Sequence, residues 1–298
     1  MMKRLIPALI AVCALSAPLS AQGSGPLKIA VGGGPSFANG VELALREING
    51  RGGILGRQVV IVPSGADLTL DPQRVAEPSS PLARYLTETL KAKSVAIAAR
   101  SPEAMRVVPL PATPLVIESG QADFPAVVQR AKGSAADALL VMPLSTDDTV
   151  RLLGELRQQG YGKPVVGESA LVSARLAERA GEAANGVRGV VGLEAGNPMP
   201  AIKDFQRKHQ AVYGGPSGVD ALRGYSLLYI AKVVSTKLGR ADNAGFAEAL
   251  KNLSLSANDE PGILLDVAGD AGGMLRYQTI VVEIRDKQPV AIDSLPPR

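Results

Sequence analysis

The segment VELALREINGRGGILGRQVVIV, residues 41–62, joins a helical pattern to a glycine-rich break and then to a run of Val and Ile. Its apolar residues between 41 and 48 recur on one helix face, and the polar ones fall largely on the other. The glycines at 50–53 can take the positive φ values that end a helix. Residues 59–62 predict a strand buried on both faces, and 27–31 predict a strand before the helix. The chain therefore opens with a strand–helix–strand unit of an α/β fold.

Strand and helix patterns continue to alternate along most of the remaining chain. Strands are predicted at 94–98, 138–142, 164–169 and 187–193, and helices at 80–93, 124–134, 146–162, 173–186, 201–215 and 221–239. The C-terminal part differs, because 262–267 and 272–292 predict strands joined by a turn at Gly272-Gly273. Such alternation is typical of parallel sheets covered by helices on both faces.

The N-terminal residues have the layout of a secretory signal peptide. Basic residues at 3 and 4 precede the apolar stretch 5–15, and small residues follow it. We expect cleavage after Ala21, with Ser16 as the alternative, so that residues 1–21 are a signal peptide. The apolar stretch is too short for a membrane helix. The predicted location of the mature chain is the bacterial periplasm.

Composition argues against several classes of function. Removing residues 1–21, which hold two basic and no acidic residues, leaves 30 Lys and Arg against 28 Asp and Glu, so nothing favours nucleic-acid binding. The only cysteine, Cys13, lies in the signal, so the mature chain would have no disulfide or thiolate metal site. The only histidine, His209, is expected to be a solvated helix residue. We predict no catalytic residue, metal or cofactor, and therefore no enzyme.

Two further features have simple structural interpretations. The glycine-rich run 31–40 lacks the Lys-Ser/Thr of a P-loop, and Phe37 stands where a dinucleotide-binding motif needs its third glycine. We interpret the run as a turn at the edge of a cleft and take Phe37 as a candidate ligand contact. The acidic pair at 147–148 is explained by a helix N-terminus. Tyr225 and Tyr229 share a helix face and are predicted to be core residues.

The sequence resembles the leucine/isoleucine/valine-binding type of periplasmic substrate-binding protein. The resemblance is most specific in NGVELALREINGRGGILGRQVVIV, which is similar to that family's first helix, glycine turn and second strand. Further segments follow in the family's order at 71–75, 82–98, 119–145, 160–169 and 180–191. The resemblance implies a type I periplasmic-binding fold. In that fold, two doubly wound parallel-sheet lobes joined by hinge strands close on a small ligand.

The chain departs from the family in its first lobe. The segment VAEPSSPLARYL passes directly to the second lobe's opening helix, so roughly two strand–helix units are absent and the first lobe is reduced. The expected lobes are 27–78 with 200–265, and 81–195 with 274–298, with hinges near 78–81, 196–200 and 266–273.

The resemblance also implies candidate ligand contacts. Glu168 stands where the family places an acidic residue that faces the ligand's ammonium, and Ser145 lies at the cleft end of the strand at 138–142. Ala104 stands where the family has an aromatic residue. From the opposite lobe we expect only the loop 33–39, with Phe37, to reach the ligand. The predicted ligand site is therefore Ser145, Glu168 and Phe37.

The function implied by the resemblance is that of an exported solute-binding protein. It would capture a small amino-acid-like or related polar solute and present it to the permease of an ABC importer in the inner membrane. We expect a monomer. The alternative is a degenerate family member that no longer transports and acts as a sensor or interaction module.

Overall fold

The computed structural model describes residues 25–76, 80–101, 108–118 and 124–298. The predicted signal peptide and Ala104 lie outside these residues. None of the helices in the described ranges is both long and apolar enough to cross a membrane.

The described chain alternates strands and helices through its first two thirds and ends in strands. The helices are α1 (Pro35–Gly50), α2 (Pro81–Arg84, continued as a π-helical turn over Tyr85–Thr89), α3 (Phe124–Gly133), α4 (Thr146–Gln158), α5 (Ala174–Ala180), α6 (Pro200–Tyr213), α7 (Val219–Leu238) and α8 (Asn243–Leu250). The strands are β1 (Leu27–Val31), β2 (Val59–Ile61), β3 (Leu68–Leu70), β4 (Val95–Ala99), β5 (Ala112–Val116), β6 (Ala138–Val141), β7 (Val165–Glu168), β8 (Arg188–Val191), β9 (Ser254–Leu255), β10 (Val267–Gly269), β11 (Leu275–Tyr277), β12 (Thr279–Arg285) and β13 (Gln288–Leu295).

Two largely parallel sheets form the centres of two lobes. The first lobe contains a three-stranded parallel sheet in the order β2-β1-β3, together with a small antiparallel sheet in the order β11-β10-β9. The second lobe contains seven strands in the order β13-β12-β8-β7-β6-β4-β5. Its strands β4 to β8 are parallel to one another, and the C-terminal pair β12 and β13 extends the sheet in antiparallel fashion. The predicted α/β fold with a reduced first lobe is confirmed.

Judged from the described residues on either side of each passage, the chain passes from one sheet to the other three times. It leaves the first lobe after Val75, which bridges to Leu275, and enters α2 at Pro81. It returns through residues 192–199, between β8 and α6. The last passage lies at Gln278, between β11 and β12, and not at the predicted 266–273, because those residues form β10 and its turn into β11.

The small first sheet has one core face and one solvated face. Leu27 and Ile29 are fully buried, whereas Lys28 between them is exposed. In β2 the exposed fraction of Ile61 reaches 42%. The prediction of a strand buried on both faces at 59–62 is therefore wrong: Ile61 ends an edge strand on the same face as Ile29, and Val60 on the opposite face is only partly buried. The sheet's solvated side carries polar residues such as Thr69.

Other sequence predictions fail where tertiary contacts decide the structure. Residues 262–265 form a buried irregular segment and not a strand; a Cβ at Gly262 would lie 1.9 Å from the Tyr229 ring.

The prediction for His209 also fails, because it is 5% exposed and not solvated. Its ring lies between those of Phe205 and Tyr213, and its Nδ1 donates to the carbonyl oxygen of Gly215 at 3.1 Å. His209 was predicted to be solvated because its sequence neighbours are charged. In the fold, apolar surfaces of α6 and α7 enclose it instead.

Two glycines let α1 and α7 approach each other closely. A Cβ at Gly40 would lie 1.9 Å from the carbonyl oxygen of Ala221, and a Cβ at Gly224 would lie 2.2 Å from that of Phe37. Real side chains do not tolerate such contacts, and neither helix backbone can yield without moving the whole element. The contact therefore fixes the spacing of the two helices that cover the first sheet.

A carboxylate at the same helix pair links three elements. The Oε2 atom of Glu47 in α1 accepts hydrogen bonds from Tyr225 at 2.9 Å and Tyr229 at 2.8 Å, both in α7. Its Oε1 lies 3.0 Å from the Nζ of Lys208 in α6. Burial raises the pKa of Glu47, but the hydrogen bonds from Lys208, Tyr229 and Tyr225 outweigh burial, so the net pKa is lowered. The predicted core position of both tyrosines is confirmed.

The first prediction concerns the contact between α1 and α7. Gly224→Ala should lower the free energy of unfolding by about 2 kcal/mol or more, because the methyl group collides with backbone. Gly154→Ala in α4 is the matched control, since its Cβ would meet nothing within 4 Å, and it should stabilise by about 0.5–1 kcal/mol. Urea unfolding of both variants measures the difference. Equal effects of the two substitutions would show that the helices are free to separate.

The second prediction concerns Glu47. Glu47→Gln should cost about 1–3 kcal/mol at pH 7, because one amide oxygen replaces a carboxylate that serves three donors. The pKa of Glu47 is lowered from 4.5 in the fold, so its stabilisation is complete above that value and is lost as pH falls through the lowered pKa. The variant should lack this acid-dependent loss. Glu42→Gln, in the same helix with an ion pair of 3.9 Å, should cost under about 0.5 kcal/mol. Unfolding free energies from pH 3 to 7 provide the measurement, and parallel curves for parent and Glu47→Gln would refute it.

Candidate functional site

A cavity of about 470 Å³ lies between the two lobes. Its first-lobe wall is built by Val75, Ala76, Val219, Arg223 and Tyr277. Its second-lobe wall comes from the start of α2 and from the carboxyl ends of β7 and β8, with Glu168, Ser169 and residues 192–194. This is the crevice outside the carboxyl ends of parallel strands where α/β folds bind ligands.

Glu168 is the carboxylate that β7 presents at this cavity. It is the last residue of the strand, is exposed, and precedes the short turn over Ser169–Val172. A Cβ at the preceding Gly167 would lie 2.7 Å from the carbonyl oxygen of Val141 and from the side chain of Leu171. Only glycine fits there, so β6 and the turn close tightly behind Glu168. Among the described residues its carboxylate has no hydrogen-bond or ion-pair partner, which leaves it available to a ligand.

Two further charged side chains line the cavity. Glu194 is partly buried, and its Oε1 accepts from the backbone N–H of Gly192 at 3.4 Å. Arg223, in the second turn of α7, lies 3.5 Å from Asp220. The lining thus holds two carboxylates and one guanidinium from its described residues. Such a lining favours a ligand with both charges, because the carboxylates attract a positive group and the guanidinium attracts a negative one.

Tyr277 gives the cavity a neutral wall on the first-lobe side. Its hydroxyl donates to the Oγ of Ser226 at 3.0 Å, which ties β11 to α7. Burial raises the pKa of Tyr277 to about 12, so the phenol stays protonated near neutral pH. The residue therefore contributes a ring surface and no charge.

Of the three residues predicted to contact ligand, the structure brings only Glu168 to the cavity lining. Phe37 lies in the first turns of α1, is 1% exposed and packs in the core under α7, so its predicted ligand contact is replaced by packing. Ser145 caps α4: its Oγ accepts from the backbone N–H of Asp148 and donates to the carboxylate of the same residue. The pair Asp147 and Asp148 lies in the first turn of α4, as predicted.

The first-lobe wall differs from the prediction. The loop 33–39 does not line the cavity: α1 already begins at Pro35, and Phe37 packs into the core. Arg223 and Tyr277 take its place, and sequence reasoning missed both. One signal was present: Arg223 is a lone charge between Leu222 and Gly224 near the start of a mostly apolar helix. Tyr277 carried no such signal, since a tyrosine in a strand is ordinary core.

Within the described ranges, no group of three or more His, Cys, Asp and Glu side chains is arranged to hold a metal ion.

The chain matches a known family over more than half of its length. Residues 112–287 match the family described as periplasmic binding protein. The chain belongs to this family. No curated protein sequence matches it.

Several solved structures share the fold of this chain. A periplasmic ligand-binding protein of a branched-chain amino acid ABC transporter from Burkholderia xenovorans is 12% identical, with 92% of this chain and 96% of that chain covered and a TM-score of 0.60. A candidate branched-chain amino acid ABC transporter from Rhodospirillum rubrum is 17% identical, with coverages of 90% and 99% and a TM-score of 0.65. A branched-chain amino acid substrate-binding protein from Streptococcus pneumoniae, solved with isoleucine, is 17% identical, with coverages of 91% and 100% and a TM-score of 0.50. At these identities the likeness concerns the fold.

The third prediction separates the capping role of Ser145 from a ligand role. Ser145→Ala should lower the free energy of unfolding by about 1 kcal/mol, because the Asp148 N–H loses its acceptor. Ser145→Asn should keep most of the stability, since Asn caps helices as well as Ser. Urea unfolding of both variants decides the matter. An alanine variant as stable as the parent would free the hydroxyl for another role.

Proposed function

We propose that this chain is the exported solute-binding component of an ABC importer, and that it holds a small amino-acid-like solute between its lobes. Family membership supports a binding protein, and residues of both lobes line the cavity. The single observation that carries the ligand class is Glu168, a carboxylate in the lining whose charge no described residue neutralises.

The charges of the cavity match a zwitterion. An ammonium group enclosed between the lobes needs a carboxylate partner, because burying an unpaired charge costs several kcal/mol. Glu168 provides that partner from one side, with Glu194 nearby in the same lobe. On the opposite wall Arg223 offers a guanidinium to the ligand's carboxylate while it remains paired with Asp220. The ligand would therefore link the two lobes through opposite charges.

Lobe closure would connect binding with delivery. We take the lobes to be close to the predicted ranges, with the last hinge moved to Gln278, where the chain passes between sheets. A ligand that contacts Glu168 and Arg223 together stabilises the closed form, because each charge comes from a different lobe. The closed monomer would then dock on a permease in the inner membrane from the periplasmic side.

One observation favours the alternative function of a sensor or interaction module. The first lobe has only three parallel strands among the described residues, and one face of that sheet is solvated. A smaller lobe offers less surface for a permease. The zwitterion site is common to both functions, so the two differ in the partner of the closed form.

The fourth prediction tests the ligand contact. In a thermal-shift screen of amino acids, amides and aromatic acids, a solute at 100 times its Kd should add about 2.7 kcal/mol to stability. Glu168→Gln should weaken an amino-bearing solute more than tenfold, as about 1.4 kcal/mol or more of charge pairing is lost. Glu178→Gln, an exposed carboxylate of α5 outside the cavity, is the matched control and should bind like the parent.

Titration calorimetry on the screen's hits supplies the affinities. If Glu168→Gln binds an amino-bearing hit as tightly as the parent and the Glu178→Gln control, the proposed ammonium contact is wrong. Ligand-dependent stimulation of ATP hydrolysis by a reconstituted importer separates transport from sensing, because a sensor would bind the solute without that stimulation.

A further inference from the structure

A second cavity, of about 310 Å³, lies inside the second lobe. It opens at the carboxyl ends of β6 and β7, between the first turn of α4 and the turn over Ser169–Val172. Glu168 is the one residue of the described chain that lines both this cavity and the interlobe cavity. A ligand held at Glu168 therefore has two separate volumes within reach.

The walls of the second cavity are mainly apolar. They are formed by Val141, Met142, Pro143, Leu144, Leu171 and Leu176. Two of the three hydroxyls that line this cavity are used locally: Thr149 donates to the carbonyl oxygen of Ser145 at 2.9 Å, and Ser173 to that of Ala170 at 3.0 Å, whereas Thr146 is the third. Such a lining favours an apolar group and offers it little polar competition.

Charge is distributed unequally between the two cavities. Of the charged side chains described, Glu194 and Arg223 line only the interlobe cavity, and Glu168 stands at the boundary. In the second cavity Arg175 is the remaining charged residue, and it is exposed at the start of α5. A ligand with a charged head and an apolar arm matches this distribution, with the head in the first cavity and the arm in the second.

The two volumes set the size of such a ligand. Each cavity reaches the lower limit of about 300 Å³ at which pockets begin to enclose small ligands. A short aliphatic amino acid placed at Glu168 would leave the second cavity unfilled. A longer arm would remove that apolar surface from water.

We propose that the second cavity is a subsite for the apolar arm of the ligand, and that the protein prefers α-amino acids with long unbranched or aromatic side chains over short ones. This inference rests on the proposed function, because it takes the ammonium contact at Glu168 as its starting point. Selectivity between ligands then comes from the length of the apolar arm, because the charged head contributes the same binding free energy to each of them.

A homologous ligand series tests the subsite. Titration calorimetry with the mature chain would compare L-alanine, L-norleucine and L-2-aminooctanoic acid. We expect the affinity to rise roughly fourfold for each methylene that enters the second cavity, since each buried methylene contributes a constant free energy. An affinity that does not increase with chain length would overturn the inference.

Two matched variants locate the effect. Ala170→Trp places an indole at an exposed residue that lines the second cavity and not the first; Ala174→Trp does the same at an exposed residue that lines neither. Ala170→Trp should weaken 2-aminooctanoic acid more than tenfold and leave alanine unchanged, whereas Ala174→Trp should follow the parent. Urea unfolding confirms that both variants are folded. Parent-like length dependence in folded Ala170→Trp would refute the subsite.

The Glu168→Gln variant distinguishes the two proposals. If it weakens every member of the series while Ala170→Trp changes none, the ammonium contact stands and the subsite is wrong. If no member of the series binds to the parent, the amino-acid ligand class fails, and the subsite assignment fails with it.

Discussion

The close contact between α1 and α7 is the constraint on which the first lobe depends. Backbone meets backbone at Gly40 and Gly224, so the helix spacing is set without adjustable side chains. Glu47 then joins α1, α6 and α7 through two tyrosine hydroxyls and Lys208. Because α7 also carries Arg223 to the cavity, the same contact sets where the first-lobe wall stands. The contact between α1 and α7 therefore determines both the rigidity of the first lobe and the position of its side of the candidate site.

Close backbone approach has a similar effect in the second lobe. Gly167 lets the turn after β7 pack onto the end of β6, and Glu168 projects from that junction between two cavities. In the unliganded protein the carboxylate of Glu168 has little desolvation cost, since it remains exposed to water. In the proposed function this cost would arise on closure and would be offset only by a ligand with a matching charge. Ligand class and lobe closure would then be coupled through one side chain.

The sequence predicted secondary-structure elements better than it predicted which residues meet in the folded chain. Periodicity located α1, α4 and α6, because their apolar faces repeat over several turns, and α7 was located by its long, mostly apolar run. Periodicity missed β3, β5 and α8, which are short, and read 262–265 as a strand because a buried loop is equally apolar. Of the candidate site, the family resemblance predicted Glu168. Arg223 and Tyr277 were not predicted, since segments far apart in sequence meet only in the folded chain, and Phe37 is apolar enough for either core or ligand contact.

The order in which the chain visits its two sheets bears on how the protein folds. Strands β4 to β8 follow one another between residues 95 and 191, whereas the first lobe must bring residues 27–76 together with 200–277. Contacts between such distant segments form slowly, because the entropy of closing a long loop is lost before any contact contributes favourable free energy. As the chain emerges, the sheet that holds Glu168 can therefore assemble first. The wall that holds Arg223 forms only when α7 packs against α1, so the interlobe cavity is completed late in folding.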